Sequence, residues 1–272
     1  MSPLILHALQ ALLPVVFVAV ELLAITVITR IMNRIAFERF GKRLYLLLMW
    51  PGVCVHELSH AAACLLTRTR ITEVHLFAPQ AGERGELVLG YVAYETPRSR
   101  LARAFIGSAP FFGGTAVLLL LAWWAVPHSF ALAQAVIGNA DPGLLFQRLV
   151  GFAAAAGSEA WQRAHGGSGW TWLAVYLFLS VSAHVAPSRP DLKATVIALA
   201  AVILAVAPAL AVLARFWPAG FLAVAVRFGQ GAALVAGFLA VGLVVVATAC
   251  AVIIFVSWPV LIWQRIRHRS NP

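Results

Sequence analysis

The sequence has little charge, and negative charge is scarcest. Only 11% of the 272 residues are charged, and 10 acidic side chains stand against 20 basic ones. Soluble domains carry about 25% charged residues, so this composition argues against a water-soluble fold. With 62% hydrophobic residues and a mean hydropathy of +0.89, the chain is predicted to be an integral membrane protein.

Cysteine is also rare, and its positions exclude a disulfide framework. Cys54, Cys64 and Cys250 all lie inside apolar runs, where small buried thiols are expected. The net charge of +10 could suggest a nucleic-acid partner. However, the basic residues fall mainly between apolar runs, as in residues 30–43 and 265–269, which is typical of flanking anchors at a membrane. We therefore expect the lipid bilayer, and no nucleic acid, as a partner.

Apolar runs of about 20 residues recur along the whole chain, and each is long enough to cross a bilayer. They predict an all-α, multi-pass (polytopic) membrane protein with about six transmembrane helices, forming a single membrane domain over residues 1–272. The basic C-terminus favours cytoplasmic termini. The predicted spans are residues 4–28, 44–67, 101–126, 169–187, 192–214 and 231–263.

Two segments between the spans carry their own signals. In residues 71–95, apolar and polar residues alternate around a glycine-containing turn, which predicts a small membrane-associated β-hairpin. Further along, Asp141 and Pro142 form a helix-start signal for a helix through about Ala164, which would lie at the membrane interface.

The second span contains His56, Glu57 and His60 in the sequence HELSH. On a helix, this HExxH spacing puts both imidazoles on one face within reach of one metal ion, and Glu57 beside a metal-bound water. His56 lies about 20 Å of helix from Arg43, near the middle of the bilayer. Ionisable groups at that depth usually mark function. Interhelical hydrogen bonding is the alternative, and Pro51 and Gly52 should kink or loosen this helix.

HELSH in an apolar span, a β-like loop, and the later stretch SAHVAPSRPDLKA together resemble the site-2 protease family of intramembrane zinc metalloproteases. The second family motif, Asn-x-x-Pro-x-x-x-x-Asp-Gly, is matched in part. His184 takes the asparagine position, Pro187 the proline and Asp191 the aspartate, while the Pro-to-Asp gap is one residue shorter and Leu192 replaces the glycine.

The resemblance implies that His56, His60 and Asp191 hold Zn²⁺ and that Glu57 is the catalytic base. It makes His184 a possible contact to substrate or transition state. Asp191 could instead be a turn carboxylate paired with Arg189 or Lys193. The alternative third ligands, in order, are His184, then Glu73 or His75, and last Glu159.

The resemblance covers about residues 44–210, the metalloprotease-like core, with no PDZ-like insertion. The family's Gly-Pro-x-x-Asn element is loosely echoed by Pro110 and Gly113 in SAPFFGG, which could equally serve close helix packing. Glu21 is an intramembrane carboxylate that could pair with the site or reach polar surroundings at its helix end. Cys64, four residues after His60, is expected to pack rather than bind metal.

The function implied is hydrolysis of peptide bonds in membrane-spanning or membrane-anchored substrates, by zinc-activated water with Glu57 as general base. The expected location is a prokaryotic cell membrane. Two other classes remain open. One is a non-catalytic zinc-binding membrane protein, and the other is a transporter with a polar site at mid-membrane.

Overall fold

A computed structural model describes most of the chain, and it is mainly helical. Within the described residues, the principal elements are α1 (Pro3–Leu66), β1 (Ile71–His75), β2 (Gln80–Ala81), β3 (Leu87–Val88), β4 (Tyr91–Tyr94), α2 (Arg100–Ala125), α3 (Leu145–His165), α4 (Gly169–Val185) and α5 (Pro218–Arg269). The described residues are 3–81, 87–97, 99–128, 131, 144–166, 169–185, 191, 208 and 211–269.

Helix α1 consists of two arms that fold back on each other. Gly41 separates residues 3–40 from residues 42–66 and adopts φ 79° and ψ 169°, a backbone conformation that only glycine enters readily. The rings of Phe37 and Tyr45 meet across this bend with centroids 5.8 Å apart. The basic residues between the first two apolar runs, at 30–43, are therefore helical on both sides of the bend at Gly41.

Helix α1 lies at the centre of the bundle, because it packs against α2, α4 and α5. The core between these helices is mainly apolar, and polar residues such as Glu57, His60 and Ser180 are buried among the apolar ones. Its largest fully buried side chains include Ile25, Met49, Ile106, Leu118 and Phe238.

Within the described ranges, three helices are long and apolar enough to cross a membrane: Leu13–Arg39, Arg100–Ala125 and Pro218–Phe255. Helix α4 is apolar but has only 17 residues. The three long apolar helices agree with the prediction of a helical membrane protein, whereas six crossings are not confirmed. The predicted span 192–214 lies largely outside the described residues, as do Asp141 and Pro142. Helix α3 ends at His165, one residue beyond the expected end.

The predicted β-hairpin is present as two short antiparallel ladders. Strand β1 pairs with β4, with His75 opposite Tyr91 and Ile71 opposite Tyr94, and a register irregularity lies between Ile71 and Glu73. Strand β2 pairs with β3. Ile71 and Tyr94 pack against Ala63, Cys64, Ile106 and Ala109, so the hairpin is attached to the ends of α1 and α2 that lie near the HExxH motif.

Candidate metal centre

The two histidines of HELSH lie on one face of the second arm of α1. Their ring centroids are 5.0 Å apart, with an interplanar angle of 74°. The structure brings Asp191 to them, and its Oδ2 lies 3.6 Å from His56 Nε2 and 3.5 Å from His60 Nε2. Asp191 is thus the third member of the cluster, although it is far from HELSH in the sequence.

These distances suit a shared metal ion. The potential ligand atoms of His56, His60 and Asp191 lie within 4.8 Å of one another. Two atoms bound tetrahedrally at about 2.0–2.1 Å from zinc are about 3.4 Å apart. Two imidazoles and one carboxylate are also a donor set found in catalytic zinc sites, where a fourth position is left to water. The residues therefore fit zinc both in chemistry and in spacing.

Each histidine is held by a hydrogen bond from its other ring nitrogen. His56 Nδ1 lies 2.9 Å from the backbone oxygen of His184, and His60 Nδ1 lies 2.9 Å from the backbone oxygen of Ile106. A carbonyl oxygen can only accept, so each Nδ1 carries the proton. In the neutral ring the lone pair is then on Nε2, the atom that faces Asp191. Metal-binding histidines are commonly oriented by such an outer hydrogen bond.

Helix α4 supplies hydrogen-bond partners to the backbone of α1 around Pro51. Pro51 has no N–H for the carbonyl of Leu47, and the hydroxyl of Tyr176 donates to that carbonyl at 2.5 Å. The N–H of Gly52 donates to Ser180 Oγ at 2.9 Å, and this hydroxyl lies 3.3 Å from the oxygen of Met49. The expected loosening at Pro51 is therefore compensated by α4, which then continues to His184 beside His56.

Glu57 lies beside the candidate metal ligands on the wall of a cavity of about 210 Å³. Glu57 is only 8% exposed. The cavity beside it offers space for water or part of a peptide. The hairpin forms another wall, because a Cβ on Gly90 would lie 3.0 Å from Glu57 Cγ. The lining residues are Val53, His56, Glu57, Leu89, Gly90, Ala183 and His184.

The ring of His184 lines this cavity but is not part of the ligand group. Its Nδ1 lies 2.9 Å from the backbone oxygen of Ser180, so the side chain is directed back along α4. The main chain of His184 therefore holds the ring of His56, while its own ring is hydrogen-bonded to the backbone of α4. The sequence predicted a role only for the side chain of His184, not for its backbone oxygen.

The alternative third ligands lie elsewhere. Glu73 accepts a hydrogen bond from Tyr91 at 2.9 Å and is 3.9 Å from His75, all on the exposed hairpin. This carboxylate raises the pKa of Tyr91. Glu159 lies near His128 and Arg163. Neither group belongs to the candidate metal cluster of His56, His60 and Asp191 found in the described part of the chain.

Two further sequence candidates are buried in packing positions. Cys64 is fully buried in the small cluster beneath the hairpin and is not among the grouped ligand atoms. Glu21 is 7% exposed on α1, with one carboxyl oxygen that has no hydrogen bond among the described residues. Neither is grouped with the cluster of His56, His60 and Asp191.

The SAPFFGG stretch of α2 lies directly against the HExxH helix. A Cβ on Gly113 would lie 2.1 Å from Ser59 Oγ, and one on Gly114 would lie 2.5 Å from a methyl carbon of Val185. Both glycines therefore allow close packing, which was one of the two interpretations of this stretch. Ile106, one turn before Pro110, supplies the carbonyl that holds His60.

No family model, curated protein or solved structure matches this chain. The relation to site-2 proteases thus remains a resemblance in motifs.

Proposed function

We propose that the protein is an integral membrane zinc metalloprotease that hydrolyses peptide bonds of membrane-spanning or membrane-anchored substrates. The observation that carries this proposal is the common orientation of His56 and His60. Both place Nε2 within 3.6 Å of the Asp191 carboxylate, next to a glutamate that lines a cavity. A purely hydrogen-bonding role for the histidines would not require this convergence of three ligand atoms.

His56, His60 and Asp191 would hold the metal, and their positions on α1 and after α4 fix its place in the bundle. When bound, zinc supplies Lewis acidity toward water and a peptide carbonyl. Glu57 would accept a proton from the attacking water and deliver it to the departing amine. Its place on the cavity wall supports this role, because water and peptide can reach it there.

His184 would contact the substrate or transition state within the same cavity. Substrate must be locally unwound to reach this cavity, because an intact helix uses its own carbonyl oxygens in internal hydrogen bonds. The expected cleavage sites therefore lie near helix ends or helix-weakening residues.

The membrane arrangement is part of the proposal. We propose a multi-pass protein of about six crossings in a prokaryotic cell membrane, with the hairpin associated with the membrane next to the site. The three long apolar helices support the membrane location. The second arm of α1, the apolar helix α4 and the run at 192–214 would supply the other three crossings.

The decisive test compares wild type with Glu57→Gln in proteoliposomes. The substrates are single-span peptides with or without a central Gly-Pro pair, and products are identified by mass spectrometry. Wild type should cleave the peptide with the Gly-Pro pair, whereas Glu57→Gln should lose cleavage by at least about 100-fold, the range of general-base catalysis. Zinc content should be equal in both.

The matched control is Glu38→Gln, which changes a glutamate in an exposed ion pair with Arg34. It should cleave like wild type. If Glu57→Gln still cleaves, the assigned mechanism fails. If wild type holds zinc but cleaves neither peptide at any protein concentration, the non-catalytic zinc protein becomes the better interpretation.

A further inference from the structure

Pro110 lies in the interior of α2 and is almost completely buried. In a regular helix, the residue at this position donates its N–H to the carbonyl four residues earlier. Proline has no N–H, so the carbonyl at that earlier position loses its partner within the helix. For Pro110, that carbonyl belongs to Ile106.

The freed carbonyl is the one that holds a metal ligand. His60 Nδ1 lies 2.9 Å from the oxygen of Ile106, across the contact between α1 and α2. Ile106 is 0% exposed, so water does not compete at this position. A buried carbonyl without a partner is unfavourable, and His60 removes that cost by donating its Nδ1–H in a hydrogen bond.

The same relation occurs independently at Pro51. Its missing N–H frees the carbonyl of Leu47, and the hydroxyl of Tyr176 donates to it from another helix. In both places, a proline within a helix creates an acceptor that a neighbouring helix uses. The two places differ in the donor, because only Pro110 acts on a member of the metal cluster.

We propose that Pro110 is a positioning residue of the metal centre, acting through the Ile106 carbonyl on His60. By removing one N–H from α2, it leaves an acceptor that keeps the proton of His60 on Nδ1 and directs Nε2 toward Asp191. This inference rests on the proposed metal site but not on protease activity. Close packing of the same stretch is provided by Gly113 and Gly114, so it does not account for the proline.

The test uses Pro110→Ala, which returns an N–H that competes with His60 for the Ile106 carbonyl. Metal-free protein labelled with ¹⁵N-histidine reports by NMR which ring nitrogen carries the proton. In wild type, both His56 and His60 should be protonated at Nδ1. In the variant, His60 should shift toward protonation at Nε2, while His56, held by His184, stays unchanged.

Zinc affinity, measured by competition with a chromophoric chelator, provides the second readout. Loss of an outer hydrogen bond to a metal ligand commonly weakens binding 10- to 100-fold, so we expect about a 10-fold loss in Pro110→Ala. Pro51→Ala is the matched control, since its competing N–H displaces a tyrosine rather than a ligand. It should weaken zinc binding less than Pro110→Ala.

Unchanged zinc affinity and an unchanged His60 proton position in folded Pro110→Ala would overturn the proposal. If that variant fails to fold, the wild-type spectrum alone decides, since a His60 without a proton on Nδ1 in the metal-free protein contradicts it. Failure of the proposed function looks different. A protein that binds zinc but cleaves nothing leaves this inference standing, because neither readout depends on hydrolysis.

Discussion

The backbone oxygen of His184 lies 2.9 Å from Nδ1 of His56, so the end of α4 holds the first histidine of the HExxH motif. His60 is held in the same way by Ile106 in α2. The orientation of both rings therefore depends on how α2 and α4 pack against α1. Substitutions at those contacts are expected to affect the metal site without touching a ligand.

Ser180→Ala should weaken the repair of α1 at Pro51. The hydroxyl of Ser180 accepts from the N–H of Gly52 and lies near the oxygen of Met49, and both groups are inside the bundle. Leaving a buried polar group without its partner costs about 1–3 kcal/mol. We expect a loss of that size in the free energy of unfolding, measured by denaturant titration in mixed micelles.

Ser182→Ala is the control for this prediction. Ser182 is equally buried on the same helix, yet its hydroxyl has no hydrogen bond among the described residues. Its replacement should be nearly neutral or slightly stabilising. Equal losses in the two variants would show that the hydrogen bond of Ser180 has no particular weight.

Gly52→Ala should separate α1 from α4. A Cβ at this position would lie 2.0 Å from the backbone oxygen of Ser180 and 2.6 Å from Nδ1 of His184. Alanine gains up to about 1 kcal/mol in helix propensity over glycine, whereas overpacking typically costs about 1–3 kcal/mol. Because the backbone contact cannot yield, we expect net destabilisation, measured by thermal unfolding. We also expect weaker zinc binding, measured by chelator competition.

Gly151→Ala is the matched comparison on α3. No atom among the described residues lies within 4 Å of the place its Cβ would take. This variant should keep or slightly raise the unfolding temperature and keep zinc affinity. A Gly52→Ala protein that behaves like Gly151→Ala would refute the close approach of α1 and α4.

Gly90→Ala should disturb the cavity more than the metal. A Cβ there would lie 2.7 Å from the oxygen of Leu76, 2.8 Å from the oxygen of His75 and 3.0 Å from Glu57 Cγ. The hairpin must shift, and with it the wall above the proposed base. We expect cleavage to fall by about 10-fold or more, as small misplacements near chemistry do, with zinc content unchanged. Loss of zinc together with cleavage would contradict this separation.

The sequence alone predicts the local features that depend on spacing. The i, i+4 relation of His56 and His60 follows from helix geometry, and the hairpin follows from alternation around a turn. Asp191 could be predicted as the third ligand only from the partial motif around Pro187. Local sequence patterns do not indicate which distant carboxylate packs beside a helix. The structure places that carboxylate beside both histidines.

Other features could not be predicted because they depend on packing between helices. The single-residue bend at Gly41 requires a positive φ that composition does not report, and the roles of Tyr176 and Ser180 arise only when α4 lies along α1. The acceptor for His60 does have a signal in the sequence. Pro110, four residues after Ile106, indicates that the Ile106 carbonyl lacks a donor within its own helix. The sequence does not indicate that the donor is His60.

The most direct measurement of the central claim is the zinc content of purified protein by elemental mass spectrometry, for wild type beside His60→Ala, Asp191→Ala and the exposed control Glu38→Gln. Three ligands converging on one point predict about one zinc per chain in wild type and in Glu38→Gln, with zinc lost in the other two. Wild-type protein that takes up no zinc when supplied with it, or Asp191→Ala that retains it fully, would contradict the account.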